Sequence, residues 1–388
     1  MLLIRNSKIY TMTGEVMDNK DILIHNGKII AIGENIKEEA EVLDAEGLIA
    51  MPGLIDCHSH IGGISFSRTN SYSDINEMTN KVTPDVQAIY SVDIDSKDFE
   101  IAYENGITTL GITPGSGNVI SGLAFATKTY GKNIFEMTVK NPIALKVALG
   151  GNPKGNYGKR NQEPATRMSI PNIMKKLLRQ AEVYMDKKEK AKINKDRMPE
   201  YDEKLEAIIP VLKKEIPLKM HCTQFDMLTS IEIAKEFDLN FTLEHAWGAS
   251  NYIEEIVESG CGVVFGPVGS MKTFGESSLI DIESVVELDK RNVLVALTTD
   301  APFLSIDSLI HHAGEVVREG CDIERALRMI TINPAKIMGI EDRVGSIEEG
   351  KDADIVLFRG VPAYDTNAKV IYTIIDGDIV YSSNISCV

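Results

Sequence analysis

Cysteine is scarce and unpaired in this sequence of 388 residues: Cys57, Cys222, Cys261, Cys321 and Cys387 are an odd set at irregular spacings, with no Cys-x-x-Cys. That pattern suggests neither a zinc ribbon nor a dithiol redox motif, and free, mostly buried thiols are expected. Tryptophan occurs once, at Trp247. Positive charge is in deficit, since 41 Lys and Arg against 57 Asp and Glu leave a formal charge of −16. Such a field repels phosphate backbones and anionic lipid surfaces, so the expected partner is a small-molecule substrate, with no nucleic acid and no membrane. Long hydrophobic runs are missing as well, and nothing approaches a membrane-spanning length. The apolar stretch before Arg5 in Met1-Leu2-Leu3-Ile4-Arg5-Asn6 is too short for a signal peptide, and a cytoplasmic protein is expected.

What is present is a chain with 43% hydrophobic residues, enough for a large core with a smaller companion domain. From Met1 to Ala50 short alternating or β-branched runs (Leu2 to Ile4, Lys8 to Met12, Asp21 to His25, Lys28 to Ile32, Leu48 to Ala50) read as a small antiparallel sheet. Asn26-Gly27 between two of them is a hairpin signal. Ala353 to Phe358, Lys369 to Ile375 and Ile379 to Tyr381 repeat that character near the other end, so both termini can share one sheet domain. Between about Pro52 and Ile340, apolar strands alternate with amphipathic helices, the pattern of parallel strands with crossover helices. The strands predicted are Gly53 to Cys57, Thr108 to Gly111, Ala144 to Ala148, Leu218 to Cys222, Asn240 to Glu244, Gly262 to Phe265 and Val293 to Leu297. Leu123 to Thr127 supplies the eighth, in preference to Asn133 to Val139, because a parallel crossover needs about a dozen residues. Helices are expected at Ile170 to Lys187, Glu200 to Lys214, Ser230 to Phe237, Ile306 to Glu319 and Ile323 to Met338. Lys187 to Arg197 carries six Lys or Arg among eleven residues, which reads as a solvated helix end.

Chemistry concentrates at the C-terminal ends of these strands, where (β/α)₈ barrels build their sites. His58 and His60 in Asp56-Cys57-His58-Ser59-His60 are two apart on an extended chain, hence on one face. His-x-His alone also arises by chance on solvated strand ends. His221 in Lys219-Met220-His221-Cys222 and His245 in Leu243-Glu244-His245-Ala246 end two further strands. A buried imidazole bonded to a carbonyl explains either singly, but would have to recur at corresponding positions. Asp300 in Thr298-Thr299-Asp300-Ala301-Pro302 stands where a barrel closes beside its first strand, although Asp followed closely by Pro also marks turns. Imidazole nitrogens and a carboxylate suit zinc or a similar ion with a position left for water. Asp300 is then the candidate catalytic base.

At this point the sequence resembles the amidohydrolase superfamily over nearly its whole length. Pro52-Gly53-Leu54-Ile55-Asp56-Cys57-His58-Ser59-His60 is similar to the strand-one signature, Asn333-Pro334-Ala335 to the last barrel helix, and Gly345-Ser346-Ile347-Glu348-Glu349-Gly350-Lys351-Asp352-Ala353-Asp354 to the return into the terminal sheets. The Pro114 to Gly122 loop and Gly151-Asn152-Pro153-Lys154 are similar to the imidazolonepropionase-like subgroup, some of which act on dipeptides. The resemblance implies an α/β fold: a (β/α)₈ TIM-like barrel over 53–342 with a composite β-sandwich from 1–52 and 343–388. It implies a metal-dependent hydrolase cleaving a C–N bond of a cyclic amide, N-acyl amino acid or dipeptide, and commonly a homo-oligomer. His58, His60 and Asp300 would bind one divalent metal, with His221 and His245 binding a second or completing a mononuclear site. The metal expected is zinc, one or two ions, with manganese, iron or nickel as substitutes.

Where relatives carry glutamate before Asn-Pro, this chain has Gly151. Lys146 is a substitute bridge, as a carbamate, or else a surface or salt-bridged lysine. Arg167 and Tyr157, after strand four, can bind a substrate carboxylate; Arg167 can equally bond backbone carbonyls. Trp247 walls the pocket or packs the core, while His25, His311 and His312 are structural or exposed. An isomerase or lyase on the same fold, or a non-catalytic assembly protein, are the alternative readings.

Overall fold

The computed structural model describes residues 1–65, 72–269 and 278–383. Two eight-stranded sheets dominate it. The first joins both chain ends: Ile49–Pro52 runs antiparallel to Ile355–Arg359 on one side and parallel to Leu2–Tyr10 on the other. Val16–His25 and Lys28–Gly33 extend it through the Asn26-Gly27 turn, where both residues take positive φ (49° and 74°), as a tight hairpin of this hand requires. Lys369–Ile375 and Asp378–Ser382 close the other edge. Its own apolar cluster includes Ile4, Ile22, Ile29, Ala50, Ile355 and Ile374. The runs expected separately at Leu2 to Ile4 and Lys8 to Met12 are one strand, Leu2–Tyr10, with irregular register between Ile4 and Ile9.

The second sheet is the barrel, ordered Leu54–Ser59, Ile107–Ile112, Ile120–Lys128, Thr138–Ala148, Leu218–Cys222, Phe241–His245, Gly262–Phe265 and Val295–Leu297. All eight anticipated strands are there, but one runs the wrong way for a (β/α)₈ barrel: Ile120–Lys128 is antiparallel to both neighbours. The reason is chain length. Only residues 113–119 link it to the second strand, and only 129–137, holding the single turn Ile134–Met137, link it to the fourth; neither can carry a crossover helix. The barrel is also nearly, not fully, laddered shut. Between last and first strands, Met329 O accepts from Leu297 N and Ile330 O accepts from Ile55 N.

That use of the Met329 and Ile330 carbonyls splits the helix expected over Ile323 to Met338 into Ile323–Arg328 and Ile332–Met338. Ala335, Ile337 and Met338 of the second piece pack with Ile55, Ala124, Ala144, Val264 and Ala296, closing the barrel at its strands' N-terminal ends. The basic stretch ends the helix Ser169–Asn194, which stops at left-handed Lys195. Cys57, Cys222, Cys261 and Cys321 are free and buried; Cys387 lies outside the described residues. Among the described residues, no helix is long and apolar enough to cross a membrane.

Candidate metal centre

The strands' C-terminal ends open into a cavity of about 830 Å³ lined by His58, His60, Lys146, His221, His245 and Asp300, with Asn76, Gly115 to Gly117, Asn152, Arg167, Trp247 and Phe303 around them. One nitrogen or oxygen from each of His58, His60 and Asp300 lies within 4.8 Å of the others. The imidazoles of His58 and His245 are 4.9 Å apart, centre to centre, and those of His245 and His221 4.5 Å. Four histidines from three strands therefore form one contiguous cluster.

Hydrogen bonds fix how the rings face. Nδ1–H of His60 donates to Thr113 O and Nδ1–H of His245 to Gly266 O, both at 2.8 Å, while His58 Nδ1 donates to Glu244 Oε2. Each bond leaves the lone pair on Nε2, the arrangement by which a second layer of acceptors orients metal-binding imidazoles. His221 is turned differently: its Nε2 is 3.5 Å from Asn152 Nδ2, and among the described residues the buried Nδ1 has no hydrogen-bond partner. Asp300 Oδ1 is buried and, among the described residues, without a hydrogen bond, although His60 Nε2 is 3.2 Å away, off the bonding direction. A buried carboxylate oxygen left in this way is costly unless something else satisfies it, and a divalent cation would do so. Imidazole and carboxylate donors suit zinc, manganese, iron or nickel.

Electrostatics point the same way. Burial holds His58 and His221 well below the usual histidine pKa, with Lys146 and neighbouring imidazoles adding to the effect; burial lowers His245 too. All three are neutral at pH 7, with lone pairs available. Burial alone would raise the Asp300 carboxyl, but His60, His245 and Lys146 outweigh it and keep it low, hence ionised. Lys146 is not at the surface and, among the described residues, makes no salt bridge: it is fully buried, its Nζ is 2.9 Å from His58 Nε2, and burial brings its pKa down to about 8.

Backbone strain accompanies the site. His245 (φ 71°), Ala246 (φ 50°) and Asp300 (φ 54°) all adopt left-handed conformations, which cost about 1–3 kcal/mol each in non-glycine residues and persist where surroundings over-determine them. Asp56, 0% exposed, ties the barrel seam by accepting from His58 N, Thr298 Oγ1, Thr299 N and Thr299 Oγ1.

Arg167 reaches the cavity wall, with Nε bonded to both oxygens of Asp226 at 3.2 and 2.9 Å and the guanidinium over Phe225. Tyr157 is not among the residues lining the cavity; its buried hydroxyl donates to Asn118 Oδ1 at 2.6 Å and braces the glycine-rich loop. Trp247 lines the cavity 5.4 Å from His245. His25 ends a strand of the terminal sheet, exposed, and His312 is buried on the helix Leu309–Arg318.

Sequence reasoning passed over Glu244, Lys219 and Asp56. The signal was available: each is a charged residue inside an otherwise apolar barrel strand, a placement that demands a partner.

Residues 49–380 match the Amidohydrolase family. An amidohydrolase from Thermotoga maritima MSB8, known from its crystal structure, shares 37% identity and superposes with a TM-score of 0.94 over 99% of this chain and 100% of that one. The imidazolonepropionase of Kosmotoga olearia is 26% identical over 393 residues, 94% of this chain and 92% of its own. Amidohydrolase tasK of Hapsidospora irregularis is 25% identical over 92% of this chain, which spans 39% of that longer protein.

Proposed function

From the membership of this chain in the amidohydrolase family, we propose that it is a metal-dependent hydrolase cleaving a C–N bond of a small molecule: a cyclic amide, an N-acyl amino acid or a dipeptide. The observation that carries the reading is the set of acceptors behind the histidines. Glu244, Thr113 O and Gly266 O take the Nδ1 protons of His58, His60 and His245, turning three Nε2 lone pairs into the cavity that holds Asp300. His58, His60, His221, His245 and Asp300 would hold one or two divalent ions, zinc first. Where two ions are held, Lys146 would add carboxylate oxygens to the site after its neutral amine takes up carbon dioxide as a carbamate and releases a proton, for which a pKa near 8 is suited because part of the amine is neutral at pH 7.

When bound, the metal lowers the pKa of water and polarises the substrate carbonyl. Asp300 Oδ1 accepts the proton released and returns it to the departing nitrogen. Arg167, on the cavity wall, engages a substrate carboxylate, and Tyr157 acts behind it by holding Asn118. The named activities of the relatives support hydrolysis. We further take residues 1–52 with 343–388 as a composite β-sandwich domain beside a barrel domain of 53–342, consistent with their separate apolar cluster, and the protein as a homo-oligomer.

The test is metal content of protein purified without chelator, with hydrolysis of an N-acyl amino acid, dipeptide and cyclic amide panel. We expect one to two zinc equivalents, loss of metal in His58→Ala, and a fall in kcat of about 10²–10⁴-fold in Asp300→Asn. Absence of metal, no reconstitution by zinc or manganese, and an unaltered His58→Ala protein would refute the reading.

A further inference from the structure

Lys219 and Glu244 place one charge of each sign inside the barrel beside the histidine cluster, and neither is a ligand in the proposed site. Lys219 Nζ lies 3.0 Å from Glu244 Oε2, with the side chains 2% and 0% exposed. A buried ion pair contributes little net stability, since well-packed apolar residues of the same volume serve as well or better. Its role is legible at the other contacts of Glu244. Oε2 also accepts from His58 Nδ1, and Oε1 accepts from Thr242 Oγ1. Across the ring, His58 Nε2 lies 2.9 Å from Lys146 Nζ, an amine that can donate to a bare Nε2 or, when neutral, accept from a protonated one, so the tautomer is set from the Glu244 side.

Glu244 reaches this place only through local distortion. Adjacent residues of an extended strand point to opposite faces, yet Glu244 and His245 both contact the cluster, because the strand ends in left-handed geometry at His245 and Ala246. His60 and His245 donate to neutral carbonyls; His58 alone of these three donates to a carboxylate. A charged acceptor makes the stronger hydrogen bond and raises the basicity of the ligating nitrogen.

We propose that Glu244 is a positioning residue of the metal centre: it holds His58 as the Nδ1–H tautomer with Nε2 turned to the metal, and Lys219 supplies its compensating charge. The proposal rests on the metal-site reading above. It predicts that Glu244→Ala weakens zinc binding about 10–100-fold, measured by competition with a chelator, and moves the His58 proton to Nε2. The tautomer is read by histidine-selective ¹⁵N NMR of the metal-free protein, where seven histidines give few signals and His58→Ala identifies the one concerned.

Two paired variants separate positioning from packing. Glu244→Gln with Lys219→Met keeps an acceptor for Nδ1–H without a stranded ammonium, and is expected to bind zinc within several-fold of the parent. Glu244→Leu with Lys219→Met removes the acceptor while filling the space, and is expected to behave like Glu244→Ala; it carries the test if Glu244→Ala does not fold. Equal zinc affinity in the two paired variants, or an unchanged His58 tautomer in the leucine variant, overturns the proposal. His58→Ala run in parallel keeps the outcomes distinct: metal loss there with equal paired variants removes only the role of Glu244, whereas a parent protein that binds no zinc removes the metal site itself.

Discussion

His312 allows a pH-dependent stability to be worked out from the structure. It is 3% exposed on the helix Leu309–Arg318, and among the described residues neither ring nitrogen has a partner in hydrogen-bond geometry. Burial brings its pKa from 6.5 down to about 4; the Thr298 backbone opposes this and His311 adds to it. Below pH 6.5 the unfolded chain takes up a proton that the folded protein refuses until about pH 4. Unfolded molecules therefore bind more protons in that window, and stability falls as pH falls. At 1.36 kcal/mol per pKa unit, the full effect is about 3.4 kcal/mol, of which about 2.5 kcal/mol is expressed by pH 4.5. The perturbation is His312→Leu, which fills similar volume and cannot titrate. Urea unfolding of both proteins at pH 7.5 and pH 4.5 gives the difference, since carboxylate titration common to the two cancels. The parent is expected to lose about 2.5 kcal/mol more than the variant across this interval. Parallel pH dependences would refute the reasoning, showing that the imidazole gains its proton in the folded state.

Two further substitutions test the packing. Gly111→Ala would place Cβ 2.5 Å from Cys57 O and 2.8 Å from Met338 Sδ; the backbone carbonyl cannot retreat, so a loss of about 1–3 kcal/mol is expected, read as a lowered Tm, and an unchanged Tm would mean that the first and second strands can separate. Lys128→Met takes the ammonium, 2.6 Å away, from Asp354, both side chains being 3% exposed, while Asp352 keeps Lys28 and Arg343. It should cost about 3–5 kcal/mol in urea unfolding, and Asp354→Leu combined with Lys128→Met should recover most of it.

Both the barrel and its site residues were substantially legible because their signals are local. Strand positions followed from apolar runs, and the hairpin at Asn26-Gly27 from residues that tolerate positive φ. Each predicted ligand does reach the cavity, since residues that end parallel strands share one end of the barrel. Three features escaped. Strand direction at Ile120–Lys128 depended on whether a connection could hold a helix, and the loop lengths decided it against the expected crossover. The break at Met329–Thr331 arose because two carbonyls there close the barrel seam. Tyr157 was drawn into the loop network through Asn118, which lies far from it in sequence.

The sequence by itself determined the alternation of strands and helices, the shared sheet of the two termini and which side chains gather in the cavity, because each is written in a short stretch of residues and their period. Only the tertiary structure decided which atom of each histidine faces the cavity, why Lys146 has a pKa near 8, and how Glu244, Lys219 and Asp56 pack around the histidines. Those properties depend on burial and on hydrogen bonds between groups on different strands, as between His58 and Glu244, 186 residues apart, and no local pattern specifies them.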